Sequence, residues 1–160
     1  MVLLVHMLFG AAIGASVANI PLAILLAFLG HYFLDAFPHI EYLAGVENSI
    51  KGLVGNAWQK KRWMMLKVLL DFLLGVLLIS IFSHGSLRHQ LIIYLCGLVA
   101  IVPDGLTVLH SLFPTKISTW HHSIHSGKIH YLTKQKNFPK FWKVFTQAAA
   151  VIISVILLTR

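Results

Sequence analysis

Histidine and carboxylate side chains recur in this sequence at the spacing that brings them onto one face of a helix. His31 and Asp35 are four residues apart, and so are His121 and His125. Neutral imidazole and carboxylate together form a suitable ligand set for a divalent cation such as Zn²⁺, Mn²⁺ or Fe²⁺. Because a cation would also neutralise carboxylates in apolar surroundings, the pattern predicts a metal site of one or two ions, with zinc as the first choice.

Further histidines and aspartates lie close to these pairs or at the ends of other apolar stretches. The predicted metal ligands are His6, His31, Asp35, His39, Asp104, His110, His121 and His125. Asp71 and His122 are the predicted catalytic side chains, because a group that does not bind the metal can act as a general acid or base. No organic cofactor is predicted.

Each of these groups also has a simpler structural interpretation. A lone helical histidine such as His6 is usually a packed or interfacial residue, and an aspartate after a helix end, such as Asp104, is often an N-cap. The block from His31 to His39 is also consistent with a helix cap that Pro38 ends. The three histidines in the segment 120–127 rarely serve packing alone, although a solvated loop is the alternative.

The chemistry that such a cluster favours is hydrolysis. A metal held by several His and Asp side chains, with one open position, polarises an ester or phosphoryl oxygen and lowers the pKa of bound water. Lysines around the site would attract an anionic or phosphorylated substrate. The sequence has no Gly-x-Ser-x-Gly elbow, no phosphate-binding Gly-rich loop and no His-Glu-x-x-His helix, which argues against a serine hydrolase, an NTPase or a zincin.

Composition indicates a single membrane-embedded domain that positions these residues. Of the 160 residues, 58% are apolar and 11% are charged, whereas soluble proteins have about 45–50% and about 25%. We expect an all-α polytopic bundle with about five transmembrane or re-entrant helices near 2–18, 21–37, 63–82, 88–102 and 141–158. Polar loops are expected over 38–62 and 103–140. The fourth stretch is short for a span of about 20 residues, so it is alternatively re-entrant.

Threading five spans through a membrane places both polar loops, and all 5 acidic residues, on one side. All basic residues except Arg88 and Arg160 fall there too, which the positive-inside rule identifies as the cytoplasmic side of a bacterial inner membrane. The bases flank apolar runs, so membrane lipid is the expected partner and nucleic acid is not. Cys96, the single cysteine, excludes a disulfide framework within the chain.

Four short motifs resemble those of the YdjM-like family of inner-membrane metal-dependent hydrolases. They are His6 followed by Gly10, the Leu-Asp-x-x-Pro-His block at 34–39, Pro103–Asp104, and the His-rich element at 121–126. The resemblance implies a membrane-embedded metallohydrolase, and its motif order is also similar to that of zinc phospholipase C and the related zinc nucleases. The chain departs from the family pattern in lacking Thr before His6, Asp-x-Asp after Pro103, and Arg-Gly before the last His-Ser.

The main hypothesis is therefore a metal-dependent hydrolase that acts on a phosphoester or lipid-linked substrate at the cytoplasmic face. A divalent-metal or proton transporter is the alternative, because intramembrane His and Asp side chains also line ion paths. A non-catalytic membrane scaffold with interfacial histidines is the third interpretation. The oligomeric state stays open.

Overall fold

A computed structural model of the chain describes residues 2–40, 57–112, 115–125 and 138–160. Within these ranges the chain is helical and contains no strand, as the sequence predicted. The helices are α1 (Leu3–Ser16), α2 (Ile20–Asp35), α3 (Ala57–Phe82), α4 (Leu87–Ala100), α5 (Val102–Leu112), α6 (Lys116–His122) and α7 (Lys140–Leu158).

Three helical ranges are long and apolar enough to cross a membrane. They are Met65–Phe82 with a mean hydropathy of 2.4, Leu87–His110 with 2.1, and Lys140–Leu158 with 1.9. The range Leu87–His110 joins α4 and α5, so the fourth apolar stretch extends well beyond its predicted end at residue 102. The apolar helices α1 and α2 are shorter, with 14 and 16 residues. Insertion of the chain in a membrane and the count of about five spans stay predictions.

The turn between α1 and α2 follows directly from the local sequence. The Asn19 side chain accepts a hydrogen bond from the Leu22 amide at 3.0 Å, and Pro21 occupies the first turn of α2. An N-cap asparagine satisfies an amide that has no partner within the helix, and proline fits the first turn because no N–H is needed there. These residues therefore form the helical hairpin that the sequence predicted.

Helix α1 lies at the centre of the bundle and contacts α2, α3, α4 and α7. Its approach to α4 depends on glycine. A Cβ atom added to Gly10 would lie 2.5 Å from both the Cys96 carbonyl oxygen and the Ala100 Cβ, and one added to Gly14 would lie 2.9 Å from the Cys96 Cβ. Small residues allow two helix backbones to approach this closely. The contact fixes the C-terminal end of α4 beside the first half of α1.

Two helices occupy part of the range 103–140 that the sequence indicated as a polar loop. Pro103 is the second residue of α5, where its missing N–H costs no helical hydrogen bond, so it starts a helix instead of only ending one. Thr115 and Ser118 form a capping box that begins α6. Helix α3 also begins at Ala57, ahead of the predicted start at residue 63. The short helices α5 and α6 carry Asp104 and His121 toward the bundle.

Candidate metal centre

The Asp35 carboxylate, at the C-terminal end of α2, is completely buried and lies among four imidazoles. Its Oδ1 is 3.2 Å from His6 Nε2 and 3.7 Å from His39 Nε2. Its Oδ2 is 3.1 Å from His31 Nε2 and 3.0 Å from His125 Nε2. All four histidines are buried. Side chains from α1, α2 and the segment after α6 therefore converge on one carboxylate.

Asp104 supplies a second buried carboxylate from the first turn of α5. Its Oδ1 lies 3.7 Å from His31 Nε2 and 4.0 Å from His125 Nε2. One ligand atom from each of His31, Asp35, Asp104 and His125 falls within 4.8 Å of all the others. Two imidazole nitrogens and two carboxylate oxygens in so small a volume could hold a single divalent cation.

Backbone carbonyls fix the orientation of two of the imidazoles. The His31 Nδ1–H donates a hydrogen bond to the Ala100 carbonyl at 2.7 Å, and the His39 Nδ1–H donates to the Phe37 carbonyl at 2.7 Å. A carbonyl oxygen can only accept, so Nδ1 carries the proton in both rings. In the neutral imidazoles the Nε2 lone pairs therefore point toward Asp35. Hydrogen bonds from the ring N–H that points away from the metal are typical of metal-binding histidines.

A hydroxyl group orients His125 in the same way. The Thr107 hydroxyl donates to the Pro103 carbonyl at 3.2 Å, and its oxygen lies 3.1 Å from His125 Nδ1. The contact between the Thr107 oxygen and His125 Nδ1 holds the ring so that its Nε2 faces the cluster. His125 Nε2 lies 3.0 Å from His31 Nε2 and 3.0 Å from Asp35 Oδ2.

A neutral His31, with its proton on Nδ1, directs its Nε2 lone pair at Asp35 Oδ2, so these two acceptor atoms repel each other. His125 Nε2 lies 3.0 Å from both of them. Buried ionised carboxylates are costly unless they are paired with positive charge or coordinate a metal. A cation bound by these atoms would remove the repulsion between the acceptor atoms and would neutralise the buried carboxylate.

Two members of the cluster have unused hydrogen-bonding capacity. His6 is completely buried and stacks on His31 with ring centroids 4.0 Å apart, yet neither of its ring nitrogens makes a hydrogen bond to the described part of the chain. Asp104 Oδ2 is also buried and makes no hydrogen bond to the described residues. Buried polar atoms are rarely left unsatisfied, so these positions favour a bound ion, water or ligand group.

Four predicted ligands lie outside the four-residue group: His6 and His39, which face Asp35, and His110 and His121. His121 Nε2 is 2.9 Å from the Tyr32 hydroxyl. Burial lowers the pKa of His121 from its usual value, and the nearby His125 imidazole lowers it further. His110 stacks on His122, a predicted catalytic residue, with ring centroids 4.8 Å apart. His110 belongs to α5, and His121 and His122 belong to α6.

Asp71, the second predicted catalytic residue, belongs to α3, and its carboxylate lies beside the N-terminal end of α1. Its Oδ2 accepts a hydrogen bond from the Leu4 amide at 3.1 Å. A carboxylate at this place satisfies an amide without a helical partner and interacts favourably with the helix dipole. The contact gives Asp71 a capping position, and its predicted role as a general base stays a prediction.

Sequence reasoning did not find three groups that position the cluster: the Ala100 carbonyl, the Thr107 hydroxyl and the Tyr32 hydroxyl. Thr107 follows Asp104 by three residues, which places both on one face of a helix, so its position carried a usable signal. Tyr32 follows His31 directly and gave no such signal. A backbone carbonyl such as that of Ala100 has no side-chain signature at all.

No protein-family model, no curated protein and no solved structure matches this chain. The resemblance to the YdjM-like hydrolases therefore stays a prediction from the four motifs. What is shown is a helical chain with three candidate spans and a buried His/Asp group that could hold a metal ion.

Proposed function

We propose that the chain is a membrane-embedded hydrolase that uses one divalent metal ion, held by His31, Asp35, Asp104 and His125. The observation that carries the proposal is the orientation of the imidazoles. The His31 Nδ1–H donates to the Ala100 carbonyl, and the Nε2 atoms of His31 and His125 both face Asp35 Oδ2 within 3.1 Å. Such an arrangement favours a cation, and the donor set suits Zn²⁺, Mn²⁺ or Fe²⁺.

The position of the cluster along the helices supports a site within the membrane. Ala100, whose carbonyl orients His31, lies 13 residues into the candidate span Leu87–His110, which corresponds to about 20 Å of helix. Asp71, at the same end of α1 as His6, lies inside the candidate span Met65–Phe82. An ionisable cluster at such depth is usually functional, because it is costly to bury.

The residues of the chain supply the remaining catalytic requirements. A divalent ion in this site would polarise the scissile ester and lower the pKa of an attacking water molecule. Asp104 Oδ2, which is buried and makes no hydrogen bond to the described chain, is placed to accept the proton of that water. His6, whose Nε2 lies 3.2 Å from Asp35 Oδ1, is placed to carry a proton to the leaving alcohol. Hydrolysis of a phosphoester or lipid-linked ester fits these roles.

A transport function fits the structure less well, because an ion path would have to continue beyond the cluster. Beyond the cluster, toward the C-terminal end of α1, the interface between α1 and α4 is apolar and closely packed. Gly10, Gly14 and Cys96 are all buried there. The interface leaves no room for a Cβ atom at Gly10, and still less for a hydrated ion.

The decisive experiment is metal analysis combined with hydrolysis. The purified protein should contain about one equivalent of transition metal, and chelation should remove both the metal and the cleavage of a chromogenic phosphodiester. Metal should restore the activity. A folded protein that binds no transition metal at micromolar concentration would contradict the proposal, and metal binding without any ester cleavage would reduce it to a metal-binding membrane protein.

The cytoplasmic orientation needs a separate measurement. We expect a reporter fused near Lys134, or a cysteine introduced beside Lys140, to face the cytoplasm of a bacterial cell, because basic residues are retained on that side. Labelling of that cysteine by an impermeant reagent in intact cells would place the metal centre at the outer face instead.

A further inference from the structure

An apolar cavity of about 300 Å³ opens between α1, α2 and α7, next to the proposed metal centre. Its walls include Phe9, Phe33, Phe37, Phe145, Ala149 and Ile153. Phe33 and Phe145 are more than half exposed, so the cavity opens onto the outer surface of the bundle. Along α7 it extends from Phe145 to Ile153, about 12 Å of helix. This length and the apolar walls suit a hydrocarbon chain.

The cavity and the metal centre are built from neighbouring residues. Leu34 lines the cavity and directly precedes Asp35. Phe37 also lines it, and the Phe37 carbonyl accepts the hydrogen bond that orients His39. Phe9 follows His6 by three residues on α1. A chain in the cavity would therefore lie about one helical turn from three of the imidazole and carboxylate side chains.

The end of the cavity nearest the metal centre carries polar and positive groups. The Thr146 hydroxyl lines the cavity and donates a hydrogen bond to the Pro38 carbonyl, which joins α7 to the segment that carries His39. Gln147 Nε2 donates to the Ile40 carbonyl at 3.2 Å and strengthens the same junction. Lys140 and Lys143 lie one to two turns before Thr146 on α7. Positive charge at this end complements a phosphate.

From these observations we propose that the cavity holds one acyl chain of a phospholipid-class substrate, whose phosphate ester lies at the metal centre near Lys143. The inference rests on the proposed function for the place of the headgroup, whereas occupation of the cavity by the chain is measured independently. A lipid substrate would enter sideways from the bilayer, because Phe33 and Phe145 are exposed on the lateral surface. The buried cluster then needs no wide aqueous entrance.

The test compares two substitutions on adjacent residues of α7. Ala149→Trp should fill the cavity, while Ala148→Trp adds the same indole at an exposed position that does not line it. Both proteins are placed in nanodiscs of phosphatidylcholine containing a small fraction of phosphatidylglycerol with a photoreactive group in one acyl chain. Cross-linked peptides of α7 are then quantified by mass spectrometry, and Ala149→Leu repeats the comparison with a smaller side chain.

We expect saturable cross-linking at Phe145 and Ile153 that falls at least tenfold in Ala149→Trp, falls less in Ala149→Leu and is unchanged in Ala148→Trp. With a long-chain phosphodiester lipid, Ala149→Trp should raise KM at least tenfold, while cleavage of a short soluble phosphodiester stays the same. Equal, unsaturable labelling of both tryptophan variants would overturn the inference, because it would indicate ordinary contact with bulk lipid.

Metal content measured on the same samples separates the two proposals. Selective cross-linking in a protein that binds no metal supports the acyl-chain site and contradicts the hydrolase. If the protein binds metal and hydrolyses the ester but both tryptophan variants are cross-linked equally, the acyl-chain site is contradicted and the hydrolase is not.

Discussion

Helix α1 passes through two regions that differ in how their space is used. Around His6 the side chains are polar, buried and incompletely hydrogen-bonded within the described chain, and two imidazole nitrogens lie 3.0 Å apart. One turn further, around Gly10, α1 and α4 are so close that not even a Cβ atom fits. The first region has capacity for an ion and a substrate group, and the second has none.

The two regions are connected through Ala100. Its Cβ is the atom that an added side chain at Gly10 would meet at 2.5 Å, and its carbonyl accepts the hydrogen bond from His31 Nδ1 at 2.7 Å. Tight packing in one region therefore fixes the direction of an imidazole in the other. Metal ligands need such support, because a metal site loses affinity when the groups that orient its ligands are not held in place.

The largest effect is expected from removal of the central carboxylate. Asp35→Asn keeps the shape of the side chain but removes the charge that four imidazoles face. We expect metal affinity to fall by more than the ~10–100-fold typical of an outer-shell change, as measured by metal titration. Asp71→Asn is the matched control and should keep its metal. Equal losses in both variants would show that the carboxylate cluster has no special role.

A methyl group in the closely packed region should destabilise the bundle. In Gly10→Ala the new Cβ would meet the Cys96 carbonyl oxygen, a backbone atom that cannot move alone. Overpacking of this kind costs about 1–3 kcal/mol, which a thermal melt in detergent would detect. Because Ala100 would shift as well, metal affinity should also decrease.

Gly105→Ala is the control for that substitution. Gly105 lies in α5, where an added Cβ would meet no atom of the described chain within 4 Å beyond its own helix backbone and chain neighbours, and alanine favours a helix over glycine by up to about 1 kcal/mol. Unchanged or increased stability is therefore expected. If Gly10→Ala were equally harmless, α1 and α4 would not be in the close contact described above.

A smaller effect is expected from the hydroxyl that orients His125. Thr107→Val is nearly isosteric, but it removes the hydroxyl that lies 3.1 Å from His125 Nδ1. Metal affinity should fall about tenfold, the lower end of the range for loss of a group that orients a metal ligand, while the melting temperature of the metal-free protein changes little. Thr107→Ser should restore the affinity. Failure of serine to do so would assign the effect to packing.

The smallest effect is expected at Asp71. Loss of its charge weakens the interaction with the Leu4 amide and the dipole of α1, which is worth about 0.5–1 kcal/mol. Asp71→Asn should therefore lower the melting temperature slightly and leave hydrolysis intact. A large loss of hydrolysis with unchanged metal content would instead support the general base that the sequence predicted.

Much of the arrangement could be predicted from the sequence, because it depends on helix periodicity. The spacing of His31 and Asp35 puts both on one face of a helix whatever surrounds it, and apolar length identified most of the helices. Four predicted ligands, from three separate parts of the chain, meet in the structure. Their meeting was expected because the threading placed these helix ends on one side of the bundle.

Contacts that depend on the close packing of helices could not be predicted. Nothing in the residues around Ala100 indicates that its carbonyl would face His31, since that depends on how deeply α4 packs against Gly10. The helices α5 and α6 were missed because Pro103 suggested a helix end and because both segments are too short for a clear apolar period. The outlying positions of His110 and His121 follow from those two helices.

The shortness of the α1–α2 hairpin has a consequence for the surrounding lipid. Fourteen residues of α1 extend about 21 Å, whereas the hydrocarbon core of a bilayer is about 30 Å thick. The cluster at the end of the hairpin away from the turn lies within the candidate spans, so that end would lie below the headgroups unless the bilayer there becomes thinner. Hydrophobic mismatch of this kind deforms the bilayer locally. The protein would then thin and disorder the lipids around its own hairpin.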